Sequence, residues 1–185
     1  MKKFFSILLS FILVISLAVL TITISIGLPI YIRDFYFAFV KITDLPTISG
    51  YSFEVIETAF NELMDFLILN KEFSTGALKF SEEGKNHFID VKFLFDLNFY
   101  GLIISLSVSL LIGILHRCKV IKIKRLFDLH SMFYSSIIVI LIPLVVGYFC
   151  LVDFDNAFTV FHHIFFPGKE NWMFNPFEDE IINIL

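Results

Sequence analysis

Three long stretches without a charged side chain constrain this chain more than any other feature of its sequence. They cover residues 4–32, 97–115 and 131–152. A helix that crosses about 30 Å of hydrocarbon needs about 20 residues, so each stretch is long enough to span a membrane. The sequence therefore predicts an all-α, polytopic membrane helix bundle, a single membrane domain with spans over 4–32, 96–115 and 131–152.

The composition excludes an ordinary soluble domain. Hydrophobic residues make up 57% of the chain and charged residues 17%, whereas soluble domains carry about 25% charged residues. The net charge of −4 gives no basis for binding nucleic acid, which requires a basic surface. The 25 phenylalanines and the single tryptophan indicate an AT-rich, bacterial genome.

The first stretch resembles a secretory signal peptide in one respect, because Lys2 and Lys3 precede it. Its apolar run is longer than a signal core of about 7–15 residues, and no small-x-small cleavage motif ends it. We therefore expect an uncleaved membrane anchor.

Basic residues predict the orientation of the spans. The loop 116–130 contains five lysines and arginines against one aspartate, and Lys2 and Lys3 precede the first span. Region 33–92 has six bases against ten acids, and region 153–185 has one base against six acids. Loops rich in Lys and Arg stay on the cytoplasmic side. The N-terminus and 116–130 are therefore expected inside a bacterial cell membrane, and 33–92 and 153–185 outside, as a subdomain of short helices.

Two helices are predicted in the outer region 33–92. Residues 52–69 carry apolar side chains at helical spacing, with acidic residues largely elsewhere and Ser52 as the N-cap. This amphipathic helix is expected to pack on the other outer segments as a lid; the alternative is an ordinary solvated helix. A second helix, 81–92, is expected to continue without a break into the second span.

Two histidines are predicted at the same depth on the outer side. His87 lies six residues before the apolar extension that starts at Phe93, about 9 Å along a helix. His162 lies nine residues after Asp153, which marks the end of the third span. Both positions correspond to the headgroup layer, where lipid ester bonds are found. Because a neutral histidine accepts and returns protons near physiological pH, the pair indicates a site for a lipid-like substrate.

These residues also have structural interpretations. His87 taken alone is more often an interfacial histidine that is bonded to the backbone. Asp90 lies three residues later on the same helix face, where it either fixes the tautomer of His87, as in a hydrolase triad, or is a solvated side chain. His162 and the adjacent His163 diverge in direction and lack the spacing of a zinc site, so no metal site is expected.

Two motifs flank the second and third spans. The first is Asn-His-Phe-Ile-Asp-Val-Lys at 86–92. The second combines Phe-His-His-Ile-Phe-Phe at 161–166, Asn-Trp-Met-Phe-Asn-Pro at 171–176 and Asp-Glu-Ile-Ile at 179–182. In order and spacing they resemble the signatures of the lipoprotein intramolecular transacylases and their relatives in low-GC Gram-positive bacteria. The resemblance covers nearly the whole chain.

The resemblance implies an activity. Such enzymes move an acyl chain from the glyceryl moiety of a lipoprotein's N-terminal diacylglyceryl-cysteine to the α-amino group of that cysteine, which gives the lyso form. Diacylglyceryl-modified lipoproteins and membrane lipids are the implied partners. No soluble cofactor is implied, because donor and acceptor lie on one molecule and binding supplies the orientation.

The resemblance also implies roles by position. His87 and His162 correspond to the catalytic pair: one deprotonates the amine, and the other protonates the leaving glyceryl oxygen or stabilises the oxyanion, without the sequence assigning which. Asp90, Lys92, Trp172 and Asp179 are implied to have supporting roles.

The chain departs from the family pattern in two respects. The family pattern has four spans, so a fourth span is expected to be missing here, and Gly84 occupies a helical turn where a carboxylate is expected.

Two other functions are compatible with the residues themselves. The first is a non-catalytic membrane sensor or assembly subunit whose outer loops bind a partner. The second is an outer-face lipid hydrolase that uses the same histidines but takes water as the acyl acceptor.

Overall fold

Helices account for the regular structure in the computed structural model, which describes residues 2–124 and 130–185. In chain order they are α1 (Lys2–Tyr31), α2 (Asp34–Ile42), α3 (Leu45–Ser49), α4 (Phe53–Leu69), α5 (Glu82–Arg117), α6 (Ser131–Val152), α7 (Phe154–Phe165) and a short 3-10 helix (Glu180–Asn183). These described ranges contain no strand. The prediction of an all-α fold is confirmed. Arg125 and Asp128, which entered the charge count of the inner loop, lie outside the described residues.

Three of these helices are long and apolar enough to cross a membrane, namely Phe4–Tyr31 of α1, α5 and α6. The prediction of three spans is confirmed. α5 has 36 residues and is therefore about 54 Å long, well beyond the thickness of the hydrocarbon. Apart from Arg117, its charged side chains all precede Leu97. Within α5, residues 97–115 are therefore the charge-free part that is apolar enough to span a membrane.

The chain forms two compact units, which we call the membrane unit (Met1–Gly27 and Asn98–Phe158) and the polar unit (Leu28–Leu97 and Thr159–Leu185). In the membrane unit, small hydroxyl side chains join the helices. Ser16 Oγ donates to the Ser105 carbonyl at 2.8 Å and lies 2.9 Å from Ser109 Oγ. Small residues let membrane helices approach closely, and their hydroxyls supply the interhelical hydrogen bonds.

The core of the polar unit is built on one face of α4. Its side chains there are buried, and they pack with Val40, Phe88, Ile181 and Ile184. Ser52 caps the helix by accepting a hydrogen bond from the Val55 amide at 3.3 Å. The predicted N-cap and the expectation that this helix packs on its neighbours, rather than standing in solvent, are both confirmed. Each large apolar side chain buried here contributes about 1.5–3 kcal/mol.

Candidate active site

The start of α5 is fixed by a carboxylate from the far end of the chain. Asp179 Oδ1 accepts hydrogen bonds from the amide and the hydroxyl of Ser81, both at 2.8 Å. Ser81 Oγ in turn accepts from the Gly84 amide at 2.9 Å. Asp179 is buried, with 4% of its surface exposed. These bonds set the position of the helix turn that carries His87.

Gly84 is required by this arrangement. A Cβ atom at position 84 would lie 2.2 Å from Asp179 Oδ1 and 3.1 Å from Cε1 of Phe174. The sequence led us to expect a carboxylate in this turn, and the structure supplies one from Asp179 instead. The glycine leaves room for that carboxylate, so its presence is consistent with an intact site.

The two predicted histidines come together in the polar unit. His87 on α5 is 5% exposed and His162 on α7 is 7% exposed. Their ring centroids are 5.8 Å apart, with 36° between the ring planes. Residues 75 positions apart in sequence therefore form one pair of side chains.

Aromatic side chains enclose the histidine pair. The ring of Phe166 meets His87 edge-on at 5.0 Å, and the ring of Phe174 does so at 5.3 Å. Trp172 stacks on His162, with 4.5 Å between centroids and 27° between planes, and its Nε1 donates to the Lys169 carbonyl at 3.0 Å. These rings restrict water at the pair, which strengthens electrostatic interactions there.

Asp90 lies next to the pair but bonds to other groups. It forms an ion pair with Lys169, and its Oδ2 accepts from Asn171 Nδ2 at 3.0 Å. Burial alone would raise the pKa of the Asp90 carboxyl, but the hydrogen bonds from Lys169 and Asn171 outweigh it and leave the pKa below its usual value. Asp90 is therefore ionised, and its side chain is only 17% exposed.

The surroundings of His87 favour its neutral form. Burial lowers the pKa of His87, and the positive charge of a protonated His162 lowers it further. The negative charge of Asp90 and the interaction with Asn171 act in the opposite direction, but the net shift of the His87 pKa is downward. A neutral imidazole is the form that accepts a proton.

Lys92, to which the sequence assigned a supporting role, binds the end of α4. Its Nζ donates to the carbonyls of Phe66 at 2.6 Å and Leu67 at 3.2 Å, and lies 5.2 Å from the centroid of the Phe66 ring. These carbonyls end α4 and have no partner within the helix. Lys92 therefore ties the end of α4 to α5.

Sequence reasoning missed several residues of this site, above all Asn171 and Lys169, together with the rings of Phe166 and Phe174. Asn171 and Phe174 belong to the quoted motif 171–176, from which only Trp172 was selected. Within the ranges that the structure describes, no cluster of three histidine, cysteine, aspartate or glutamate side chains is placed to hold a metal ion. The structure thus brings two buried imidazoles together inside a set of aromatic side chains.

A family model covers almost all of the chain: the model of the lipoprotein intramolecular transacylase Lit matches residues 11–185. The chain belongs to the Lit family. Members carry the name of an intramolecular transacylase that acts on lipoproteins. Among curated proteins, none matches the sequence significantly.

Solved structures of a Lit protein have the same fold. The membrane-integral Lit of Bacillus cereus is 21% identical, with a TM-score of 0.81 over 96% of this chain and 80% of that one. Two variants of the same enzyme, with one histidine replaced by arginine or by alanine, are each 20% identical with TM-scores of 0.77. The matched regions make up 76% of the arginine variant's chain and 78% of the alanine variant's chain. The similarity shows that this chain has the Lit fold.

Proposed function

We propose that this protein is an O-to-N acyltransferase of bacterial lipoproteins. It moves an acyl chain from the glyceryl moiety to the α-amino group of the N-terminal cysteine and leaves the lyso form. The observation that carries the proposal is the pair of buried histidines, 5.8 Å apart between ring centroids. Membership of the Lit family supports the same substrate class.

The reaction requires one proton acceptor and one proton donor. The amine nitrogen attacks the ester carbonyl carbon, and a base takes its proton. The bond from that carbon to the glyceryl oxygen then breaks, and an acid protonates the oxygen. One ester is exchanged for one amide, so the total acyl mass is unchanged. Because both groups are on one molecule, binding replaces a collision with an intramolecular step.

The neighbours of the two histidines differ, and we assign the roles accordingly. His87 is the base, because its environment favours the neutral imidazole. His162 is the acid and stabilises the developing oxyanion, because Trp172 stacks on its ring and an indole face attracts a positively charged group. Asp90, Lys92, Trp172 and Asp179 support the pair, and the polar unit faces the outside of the cell membrane, where lipoprotein N-termini are anchored.

The experiment is expression in a bacterium whose lipoproteins are otherwise only diacylglycerylated. Tandem mass spectra of a lipoprotein's N-terminal peptide are expected to show fragments of the N-acyl, monoacylglyceryl form at unchanged total mass. His87→Ala and His162→Ala are each expected to reduce its formation by about 100-fold or more. The exposed neighbour His163 is the matched control, and His163→Ala is expected to retain activity.

Two outcomes contradict the proposal. If both histidine variants acylate normally at matched abundance, the pair is not catalytic and a sensor or assembly subunit is the better interpretation. If the peptide loses acyl mass and free fatty acid accumulates, the acceptor is water and the protein is a hydrolase.

A further inference from the structure

The amide of Asn171 is held in one orientation by its neighbours. Nδ2 of Asn171 donates to Asp90 Oδ2 at 3.0 Å, and Asp90 is also paired with Lys169. An ionised carboxylate only accepts hydrogen bonds. The amide nitrogen must therefore face Asp90, and Oδ1 of Asn171 must point away from it.

Two buried polar atoms are left over at this place. Nδ1 of His87 and Oδ1 of Asn171 are both buried, and neither forms a hydrogen bond of regular geometry with any residue that the structure describes. Asn171 lies close enough to act on the imidazole, and its interaction with His87 raises the pKa of His87. Buried polar atoms are nearly always paired, and each of these two is the complement of the other.

We propose that Asn171 is a positioning residue that holds His87 in the tautomer with its proton on Nδ1. Oδ1 of Asn171 only accepts, so Nδ1 has to donate and the lone pair is left on Nε2. The inference rests on the proposed function, in which His87 removes a proton from the substrate amine. In the wrong tautomer, Nε2 carries a hydrogen and cannot act as the base.

Asp90 therefore acts on His87 through Asn171, and not by direct contact. The order of contacts is Lys169, Asp90, Asn171 and His87, with the lysine keeping the carboxylate ionised and the carboxylate orienting the amide. The charged and titratable groups that act on His87 are Asp90 on α5, His162 on α7 and Lys169 on the segment after α7. In a hydrolase triad, a carboxylate accepts the hydrogen bond from Nδ1 of the histidine. In this protein, the Asn171 amide oxygen is the acceptor in place of a carboxylate.

The test compares three variants of the full-length protein in detergent micelles. Asn171→Leu keeps the size of the side chain and removes both polar atoms. The exchange variant carries Asp90→Asn and Asn171→Asp together. Its amide at position 90 can donate to the carboxylate at position 171, and that carboxylate can also accept from His87. Asn183→Leu is the matched control, since Asn183 is exposed and its Nδ2 bonds to the Pro176 carbonyl at 3.0 Å.

Two readouts separate positioning from a merely structural role. The ¹⁵N shifts of the His87 imidazole, assigned with a His87→Gln variant, report the tautomer. The wild type is expected to have hydrogen on Nδ1, and Asn171→Leu is expected to give a mixture. Asn171→Leu is also expected to lower the transacylation rate at least about 10-fold and to move the acid limb of the pH–rate profile to lower pH. The exchange variant is expected to regain the tautomer and to move that limb to higher pH.

The outcomes distinguish this inference from the proposed function. If folded Asn171→Leu retains the wild-type tautomer and acid limb, Asn171 is only structural and the inference is overturned. Hydrogen on Nε2 of wild-type His87 overturns it as well. If the tautomer responds as expected while even the wild type forms no N-acyl product, the link between Asn171 and His87 holds and the proposed function fails.

Discussion

At the scale of single residues, the neighbours of the two histidines make chemically identical side chains unequal. Phe166 lies against both imidazole rings, whereas Phe174 meets His87 and Trp172 stacks on His162. Burial penalises the charged form of an imidazole, and an indole face favours a positive charge. The two imidazoles therefore have different neighbours, and the proposed function uses this difference to assign one as the base and the other as the acid.

The lowered pKa of His87 predicts the pH dependence of the rate. His87 must be neutral to accept a proton, so activity is lost as the pH falls through its pKa. Because burial and the charge of His162 lower that pKa from 6.5, the acid limb of the pH–rate profile is expected below pH 6.5. The substrate amine, with a pKa of about 8, produces a separate limb. A profile that shows the limb of the substrate amine but no further loss of rate below pH 6.5 would argue against His87 as the base.

Gly84 is predicted to be intolerant of a side chain. In Gly84→Ala the new Cβ meets Asp179 Oδ1, and the hydrogen bonds that Ser81 donates to Asp179 are lost. We expect a destabilisation of about 1–3 kcal/mol, measured by thermal unfolding in micelles, together with reduced transacylation. Gly113 on the same helix is the matched control, because a Cβ atom added there would meet nothing within 4 Å. Gly113→Ala is expected to be neutral or stabilising, and equal effects at both positions would contradict the packing argument.

At the scale of secondary structure, α5 is one helix with two segments of different composition. Its first four turns carry charges and His87, and residues 97–115 are apolar. One continuous helix therefore carries both a charged segment with His87 and an apolar segment that is long enough to span a membrane.

Lys92 is predicted to stabilise the contact between α4 and α5. In Lys92→Met the carbonyls of Phe66 and Leu67 lose a charged donor, at a cost of about 1.5–3 kcal/mol. Hydrogen exchange at the end of α4 is expected to accelerate, and thermal unfolding to occur at lower temperature. Lys85→Met is the control, because Lys85 makes only a surface ion pair with Glu82 at 3.8 Å, which is worth little. Unchanged exchange in Lys92→Met would show that this contact is not stabilising.

At the scale of the whole molecule, both units expose apolar surface, and the polar unit also has a buried apolar core. α6 exposes large side chains such as Leu144, Tyr148 and Leu151, and surfaces of this kind are stable only in lipid or against another apolar partner. The polar unit also exposes apolar side chains such as Ile48, but it buries a second set of them around α4. The chain therefore divides its hydrophobic residues between a lipid-facing surface and a conventional core.

The distribution of basic residues predicts that the loop 116–130 lies on the cytoplasmic side and that α3 lies on the outer side. In a Cys150→Ser background, the exposed Cys118 is expected to react with a membrane-impermeant maleimide only after cell lysis. Ile48 on α3 is 71% exposed, and Ile48→Cys in a chain without the native cysteines is expected to react in intact cells. The reverse labelling pattern would place the histidine pair on the cytoplasmic side and contradict the proposed substrate.

The sequence alone determined the features that depend on neighbours along the chain. Charge-free length predicted three spans, helical periodicity predicted the buried face of α4, and Ser52 predicted its N-cap. The two motifs singled out His87 and His162 by position. These signals are local, because a helix is specified by hydrogen bonds and side-chain spacing within a few residues.

Only the tertiary structure decided which residues meet. Asp179 bonds to Ser81 across 98 positions and Asn171 to Asp90 across 81, and no periodic pattern encodes such pairs. One alternative from the sequence was a direct contact between Asp90 and His87. In the structure Asp90 instead forms an ion pair with Lys169 and accepts a hydrogen bond from Asn171. The glycine that looked like a departure from the family is explained by a carboxylate that arrives from the far end of the chain. Long-range contacts depend on how the helices pack together, so composition and spacing predicted the elements while packing determined the chemistry of the site.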